Sequence, residues 1–170
     1  HEVGLCATDR ELARFRFGTP PEGEDFLVLG HEALAQVETG NEQWPRGAWV
    51  APMVRRSCVP ACPHCALGRR DLCRTGQYLE RGINRAHGYL MPLTLDAGAE
   101  LLPVPEDVID VAALAEPLSV VEKAVETAFR AHPLEPKTAV VAGAGPIGLL
   151  AALLLHERGL AVDVVSLEPD

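Results

Sequence analysis

Apolar positions change their rhythm once along this chain. Through about residue 105 they fall in short runs punctuated by Gly and Pro. FLVLGHEALAQVE (Phe26 to Glu38) predicts two strands broken at Gly30, and GAWVAPMV (Gly47 to Val54) predicts another. GYLMPLTL (Gly88 to Leu95) and ELLPVP (Glu100 to Pro105) predict further short strands. Short strands at this spacing, bounded by turn residues, point to a compact β barrel or sandwich. From Asp107 to Ala131 the pattern becomes helical, with a break expected at Pro117. HPLEPK (His132 to Lys137) reads as a linker. TAVVA (Thr138 to Ala142), the apolar helix LLAALLLHERG and AVDVVSL (Ala161 to Leu167) then form a βαβ pattern. The expected fold class is therefore α/β plus β. A β domain would span 1–131, its first residues reading as a strand passing into a loop. The opening βαβ unit of a doubly wound domain would span 132–170.

Composition narrows the partners. The chain has 170 residues, 48% hydrophobic and 23% charged, an ordinary globular balance. Aromatics make up 5%, so Val, Leu and Ala must build most of the core. The net charge of -9 argues against nucleic acid and anionic membrane as partners. No apolar run has transmembrane length, and the N-terminal residues lack the pattern of a signal peptide. Both ends are abrupt, which predicts a piece of a longer protein. Five cysteines, four of them clustered, fit metal-bound thiolates in a reducing cytoplasm better than a disulfide framework.

Those four, Cys58, Cys62, Cys65 and Cys73, follow C-x3-C-x2-C-x7-C, a spacing that lets their thiolates converge on one zinc ion. Such a site has no open position and predicts structure, not chemistry. Chemistry is signalled at GAGPIG, where Gly143, Gly145 and Gly148, with Pro146 and Ile147 between them, make G-x-G-x-x-G between a predicted strand and helix. The first glycine permits the tight turn, the second admits a pyrophosphate, and the third lets helix and strand pack closely. The helix N-terminus then offers N–H groups to phosphate. After the next strand come Ser166, Leu167 and Glu168, with a carboxylate for a ribose 2′-OH and no Arg or Lys for a 2′-phosphate. That favours NAD over NADP.

Cys6, His31, Glu32 and Glu116 supply the donor types of a catalytic zinc, which keeps one position open. Taken singly, a cysteine is more often a core residue, and GHE a turn. Together with the lobe and the glycine turn, GLCATDREL, EGEDFLVLGHEA, RRSCVPACPHCALGRRDLC, GYLMPL, LAEPLSVVEKAVE and VVAGAGPIGLL resemble the zinc-dependent medium-chain dehydrogenase superfamily, in its archaeal-type glucose dehydrogenase branch. The resemblance implies a GroES-like β-barrel domain followed by a Rossmann domain. It implies Cys6 and His31 as catalytic-zinc ligands, with Glu32 and Glu116 as carboxylate ligands or near neighbours. Thr8 is implied as a hydroxyl relay, Asp9 as the group that orients a ligand, and the four clustered cysteines as the structural zinc site. The implied reaction is oxidation of an aldose to a lactone by NAD or NADP, in a cytoplasmic homo-oligomer, dimer or tetramer. It also implies that residues 1–170 alone, with one βαβ unit, do not turn over.

Three departures stand out. The first gap of the cysteine lobe is one residue longer than is common in the family. Pro92 stands where the branch often carries a sugar-contacting acidic residue. Leu167 and Glu168 replace basic residues found in many relatives. A polyol dehydrogenase of the sorbitol or threonine type is the neighbouring alternative, and a non-enzymatic zinc-binding module the remote one. Among other residues, His87 is a candidate substrate contact or a plain exposed loop histidine. His64 is a surplus donor beside four cysteines. The doublets Arg55–Arg56 and Arg69–Arg70 read as a solvated face or a subunit contact.

Overall fold

Short apolar runs that alternate in and out find partners as antiparallel strands. The computed structural model describes residues 1–132 and 134–167. In chain order the regular elements are β1 (Glu2–Gly4), α1 (Ala7–Ala13), β2 (Glu32–Gln36), β3 (Trp49–Pro52), β4 (Arg55–Arg56), α2 (Pro63–Ala66), β5 (Leu79–Arg81), β6 (Arg85–Ala86) and β7 (Leu101–Pro103). A 3-10 segment, Glu106–Leu114, leads into α3 (Ala115–Ala131), and then come β8 (Thr138–Ala142), α4 (Pro146–Glu157) and β9 (Ala161–Val165). The contacts divide the chain into two units, His1–Glu116 and Pro117–Asp170.

In the first unit one sheet has the order β1-β2-β3-β7, antiparallel throughout. Its register sets Val3 against Ala33, Ala35 against Val50, and Ala51 against Leu102. Ala33, Leu34, Val50 and Ala51 are buried and, with Leu12, Tyr89 and Ala112, make its core. A smaller sheet, β4-β5-β6, carries the cysteine lobe between its first two strands.

The strands predicted before Gly30 and over 88–95 are not present as ladders. The two segments instead bond to each other irregularly. Gly88 N–H donates to Val28 O at 2.7 Å, Tyr89 N–H to Gly30 O at 2.9 Å and Leu90 N–H to Leu29 O at 3.0 Å. Gly30 sits at φ 89°, a left-handed conformation open to glycine, and this turns the chain out of a strand. A Cβ added at Gly88 would lie 2.2 Å from Gly30 O, so the two backbones touch where no side chain fits.

α1 replaces the expected loop. Cys6 caps it, its Sγ accepting from Thr8 N–H at 3.3 Å while its own N–H donates to Asp9 at 3.0 Å. This is a capping box with sulfur in place of the usual hydroxyl. Pro117 does not break the helix. It lies in the first turn of α3, where a missing N–H costs nothing.

The second unit is built on the βαβ pattern. β8 and β9 pair in parallel over five residues, from Thr138 opposite Ala161 to Ala142 opposite Val165. The expected domain boundary fell after Ala131, but α3 from Pro117 onward groups with this unit. Its Ala124, Val125, Ala128 and Phe129 line a cavity of about 330 Å³ with residues of β8 and α4. An apolar helix face packs with whatever sheet lies beside it, so the contact and not the linker sets the division.

Candidate metal centres and dinucleotide turn

Three of the four expected open-site donors converge. Cys6 Sγ lies 3.2 Å from His31 Nε2, and Cys6, His31 and Glu32 place their donor atoms within 4.8 Å of one another. Tetrahedral zinc, at about 2.3 Å from sulfur and about 2.0 Å from nitrogen, would hold these two donors about 3.5 Å apart. The pair is within a few tenths of an ångström of that separation, and the donor set fits the ion. Glu116, in the first turn of α3, is not in this set. Its carboxyl is nevertheless pushed above the usual range, chiefly by burial. His31 opposes the shift, and Glu32 and Asp9 add to it. A carboxyl that resists ionising beside two others is one a cation would relieve.

Asp9 and His31 are both buried, each 4% exposed. Asp9 spans the site: one carboxylate oxygen accepts from Cys6 N–H, the other from Gly30 N–H at 3.2 Å. That second oxygen also stands 3.4 Å from His31 Nδ1. A carboxylate behind the far ring nitrogen orients a ligating histidine, and here it leaves Nε2 toward Cys6. Thr8 stands in the first turn of α1, beside the thiol.

The cysteine lobe differs in kind. Cys58, Cys62, Cys65 and Cys73 bring four free thiols within 4.8 Å, the first three buried. His64 is not among them. Cys62 N–H donates to Cys58 Sγ at 3.2 Å. Backbone N–H groups, first that of Cys65 and then that of Arg74, hold the Cys62 thiol down at about 7. The Thr75 hydroxyl holds Cys73 at about 6. At Cys65 a backbone bond involving Cys58 lowers the pKa, but burial and the three neighbouring thiols outweigh it and push it to about 11. Partial ionisation, blocked by mutual repulsion, is what one dication would complete.

Three of the four arginines in the doublets do not face water alone, whereas Arg69 is exposed and pairs with nearby Asp71, at 3.7 Å. Arg56 is 12% exposed at its side chain, and its Nη2 donates to both carboxylate oxygens of Asp96, at 2.7 and 3.0 Å. Arg70, inside the lobe, forks onto Glu100 at 2.5 and 3.0 Å. Arg55 binds Glu80 at 2.6 Å and lies over the Tyr78 ring. Their partners lie 25 to 40 residues away, so no local spacing announced them. His87 is not a free loop histidine. Its Nδ1 accepts from Val28 N–H at 3.1 Å, its Nε2 meets Glu24 at 2.8 Å and its ring stacks on Phe26. That clamps the loop leading to His31.

At the glycine turn, Gly143 N–H donates to Val165 O at 2.7 Å, Gly145 caps α4 and Pro146 opens it, followed by Ile147. A Cβ at Gly148 would meet Gly143 O at 1.9 Å, which is why the third glycine has no substitute. No side chain caps the first turn, leaving its N–H groups to a ligand. Ser166 follows β9, and Glu168 lies outside the described residues.

The chain was also compared with known proteins. The family model for the alcohol dehydrogenase GroES-like domain matches residues 1–109, and that for the glucose dehydrogenase C-terminus matches residues 109–169. Among curated proteins, glucose 1-dehydrogenase of Methanocella arvoryzae is 45% identical over 97% of this chain and 48% of its own length. That of Thermoproteus tenax is 42% identical over 98% and 48%. The solved glucose dehydrogenase of Haloferax mediterranei, in complex with NADP, Zn and gluconolactone, superposes with a TM-score of 0.87 at 34% identity. The match covers 99% of this chain and 49% of that one. The chain thus spans about half the length of the relatives it matches. It belongs to the zinc-dependent medium-chain dehydrogenase superfamily, in the archaeal-type glucose dehydrogenase branch, with a GroES-like domain followed by the start of the dehydrogenase fold.

Proposed function

We propose that the full-length protein is a zinc-dependent oxidoreductase that oxidises an aldose at its anomeric carbon, giving a lactone and NAD(P)H. The observation that carries this reading is the open donor set of Cys6, His31 and Glu32, oriented from behind by Asp9, in a chain that also holds a G-x-G-x-x-G turn. When bound, zinc would supply Lewis acidity toward the sugar hydroxyl, and the nicotinamide would accept the hydride. Cys6, His31 and Glu32 hold the ion, with Glu116 as a nearby carboxylate. The Thr8 hydroxyl moves the proton of the anomeric O–H toward solvent. Asp9 keeps Nδ1 of His31 faced away, so Nε2 remains a donor. The Gly143–Gly148 turn and the first N–H groups of α4 receive the pyrophosphate. Cys58, Cys62, Cys65 and Cys73 hold a second zinc with no open position. Leu167, which offers no cation to a 2′-phosphate, favours NAD.

Pro92 favours a second reading, an acyclic polyol as substrate, because it offers no carboxylate where relatives of this branch often contact the sugar. The test is a panel of aldoses and polyols with both cofactors on the full-length enzyme, together with a metal count. Two zinc ions per chain and lactone from an aldose are the expected result. One zinc and no turnover would leave a zinc-binding module in place of an enzyme.

A further inference from the structure

The lobe and the open site are joined by one continuous set of contacts within the first unit. Arg56 stands two residues before Cys58. Its Nη2 meets Asp96 and, at 3.1 Å, the hydroxyl of Tyr89, while its Nη1 reaches Glu100 Oε2 at 3.2 Å and Met53 O. The lobe's Arg70 holds the same Glu100. Tyr89 is 6% exposed, and its O–H donates to Asp96 at 2.7 Å. Its backbone N–H donates to Gly30 O, one residue before His31, and the N–H groups on either side hold Val28 and Leu29. Gly30 N–H in turn donates to Asp9, whose carboxylate faces both Cys6 and His31. There is no slack at the junction: a Cβ at Gly82 or Gly88 would lie 2.5 or 2.2 Å from Gly30 O. Close-packed backbone transmits displacement instead of absorbing it.

We propose that Tyr89 and Arg56 are positioning residues for His31, through which the ordered cysteine lobe sets how tightly the Cys6–His31 site holds its metal. This rests on reading Cys6 and His31 as metal ligands. Burial and the facing Asp96 keep the Tyr89 phenol protonated well above its ordinary range, so it remains a donor to Asp96 at every working pH. Neither residue is within the donor set, so each acts on it through the backbone segment before His31.

The test uses the full-length enzyme with cobalt in the open site and zinc kept in the lobe. Tyr89→Phe removes one oxygen, Arg56→Lys keeps the charge but has one nitrogen in place of the two that reach Asp96 and Glu100, and Glu100→Gln weakens the lobe's own tether. Release of cobalt to a chelator is timed, and the cobalt absorption band, kcat, KM and Tm are recorded. Partners behind a ligand typically govern metal affinity by about tenfold or more. The expected result is cobalt release about tenfold faster in Tyr89→Phe and Arg56→Lys, a smaller acceleration in Glu100→Gln, and a shifted band. Wild-type release rates with an unchanged band, even with a lowered Tm, would reduce these residues to scaffolding and overturn the proposal. A wild-type enzyme holding metal only at the lobe would instead overturn the ligand reading, and the proposal with it.

Discussion

Two metal-type clusters in one unit are built on opposite plans. The lobe gathers four like donors from 16 consecutive positions, Cys58 to Cys73, with little regular structure beyond α2 and a short 3-10 turn, Arg70–Leu72. Without an ion, its order depends on thiols that repel one another when ionised. The open site gathers unlike donors from the cap of α1 and from the entry to β2, Cys6 and His31 standing 25 residues apart. Its geometry is fixed by protein alone, through the Asp9 carboxylate and the Cys6 cap. A cluster of identical ligands close in sequence can leave its folding to the metal. A site that must keep one position free cannot, and has to be organised beforehand.

The strongest way to break this contrast is Cys6→Ser. The hydroxyl keeps the helix cap, where oxygen is the better acceptor, but is a poor zinc ligand. Lewis-acid stabilisation of several kcal/mol corresponds to about a thousandfold in rate. The full-length variant should lose one zinc per chain and about a thousandfold in turnover, with Tm nearly unchanged. Retained turnover and metal would remove Cys6 from the site. Cys58→Ser should do the reverse. Cys58 is 2% exposed and accepts from Cys62 N–H, so its loss should release the lobe's zinc and lower Tm by about 10 °C. Limited proteolysis should then cut between residues 58 and 73. An uncut lobe in that variant would show that it folds without metal.

Asp9→Asn sharpens the contrast by a smaller step. Asp9 accepts from two backbone N–H groups and faces a ring nitrogen, so a carboxamide must turn its NH₂ toward one donor. A buried donor left unmatched costs about 1–3 kcal/mol. Zinc affinity at the open site should fall about tenfold, while the lobe keeps its ion. Equal losses at both sites, read by competition with a chromogenic chelator, would mean that Asp9 only supports the fold.

The sequence displayed the two plans unequally. The lobe is local, and its spacing alone names the donors. The βαβ unit was legible from Thr138 onward because a continuous apolar strand, three glycines and an apolar helix all agree. The open site's donors show in the sequence only as residue types, which the resemblance joins, since Cys6 and His31 meet through tertiary structure. α1 went unread because cysteine is rarely counted as a cap, although Cys6 and Asp9 stand at capping-box spacing. The segments 26–30 and 88–95 have strand-like composition, yet pair around Gly30 where its positive φ breaks any ladder. The half-buried Arg56 is not announced by its neighbours, because a doublet's sequence is the same whether it faces water or a carboxylate 40 positions away.

The smallest effect concerns proton linkage in the metal-stripped full-length protein, where the two sites should respond to pH with opposite sign. In the lobe, Cys62 and Cys73 have thiols depressed from 9.0 to about 7 and about 6. A depressed acid contributes stability that is present above its unfolded value, 9.0, and lost as pH falls through about 7 and then about 6. Cys65, raised to about 11, acts only on the alkaline side, where its contribution is lost as pH climbs from 9.0. Near the open site Glu116 is raised from 4.5, chiefly by burial, so its contribution is present below 4.5 and lost as pH rises through the raised value. Hydrogen exchange, corrected for intrinsic rates, reads both. Protection of amides 58–75 should fall on acidification from about pH 9 to about pH 6, while that around the start of α3 should not. Glu116→Gln should flatten the response at α3 and leave the lobe's slope intact. A common sign at both sites would mean that one global equilibrium governs them, and that the division between a metal-folded lobe and a preorganised open site does not hold.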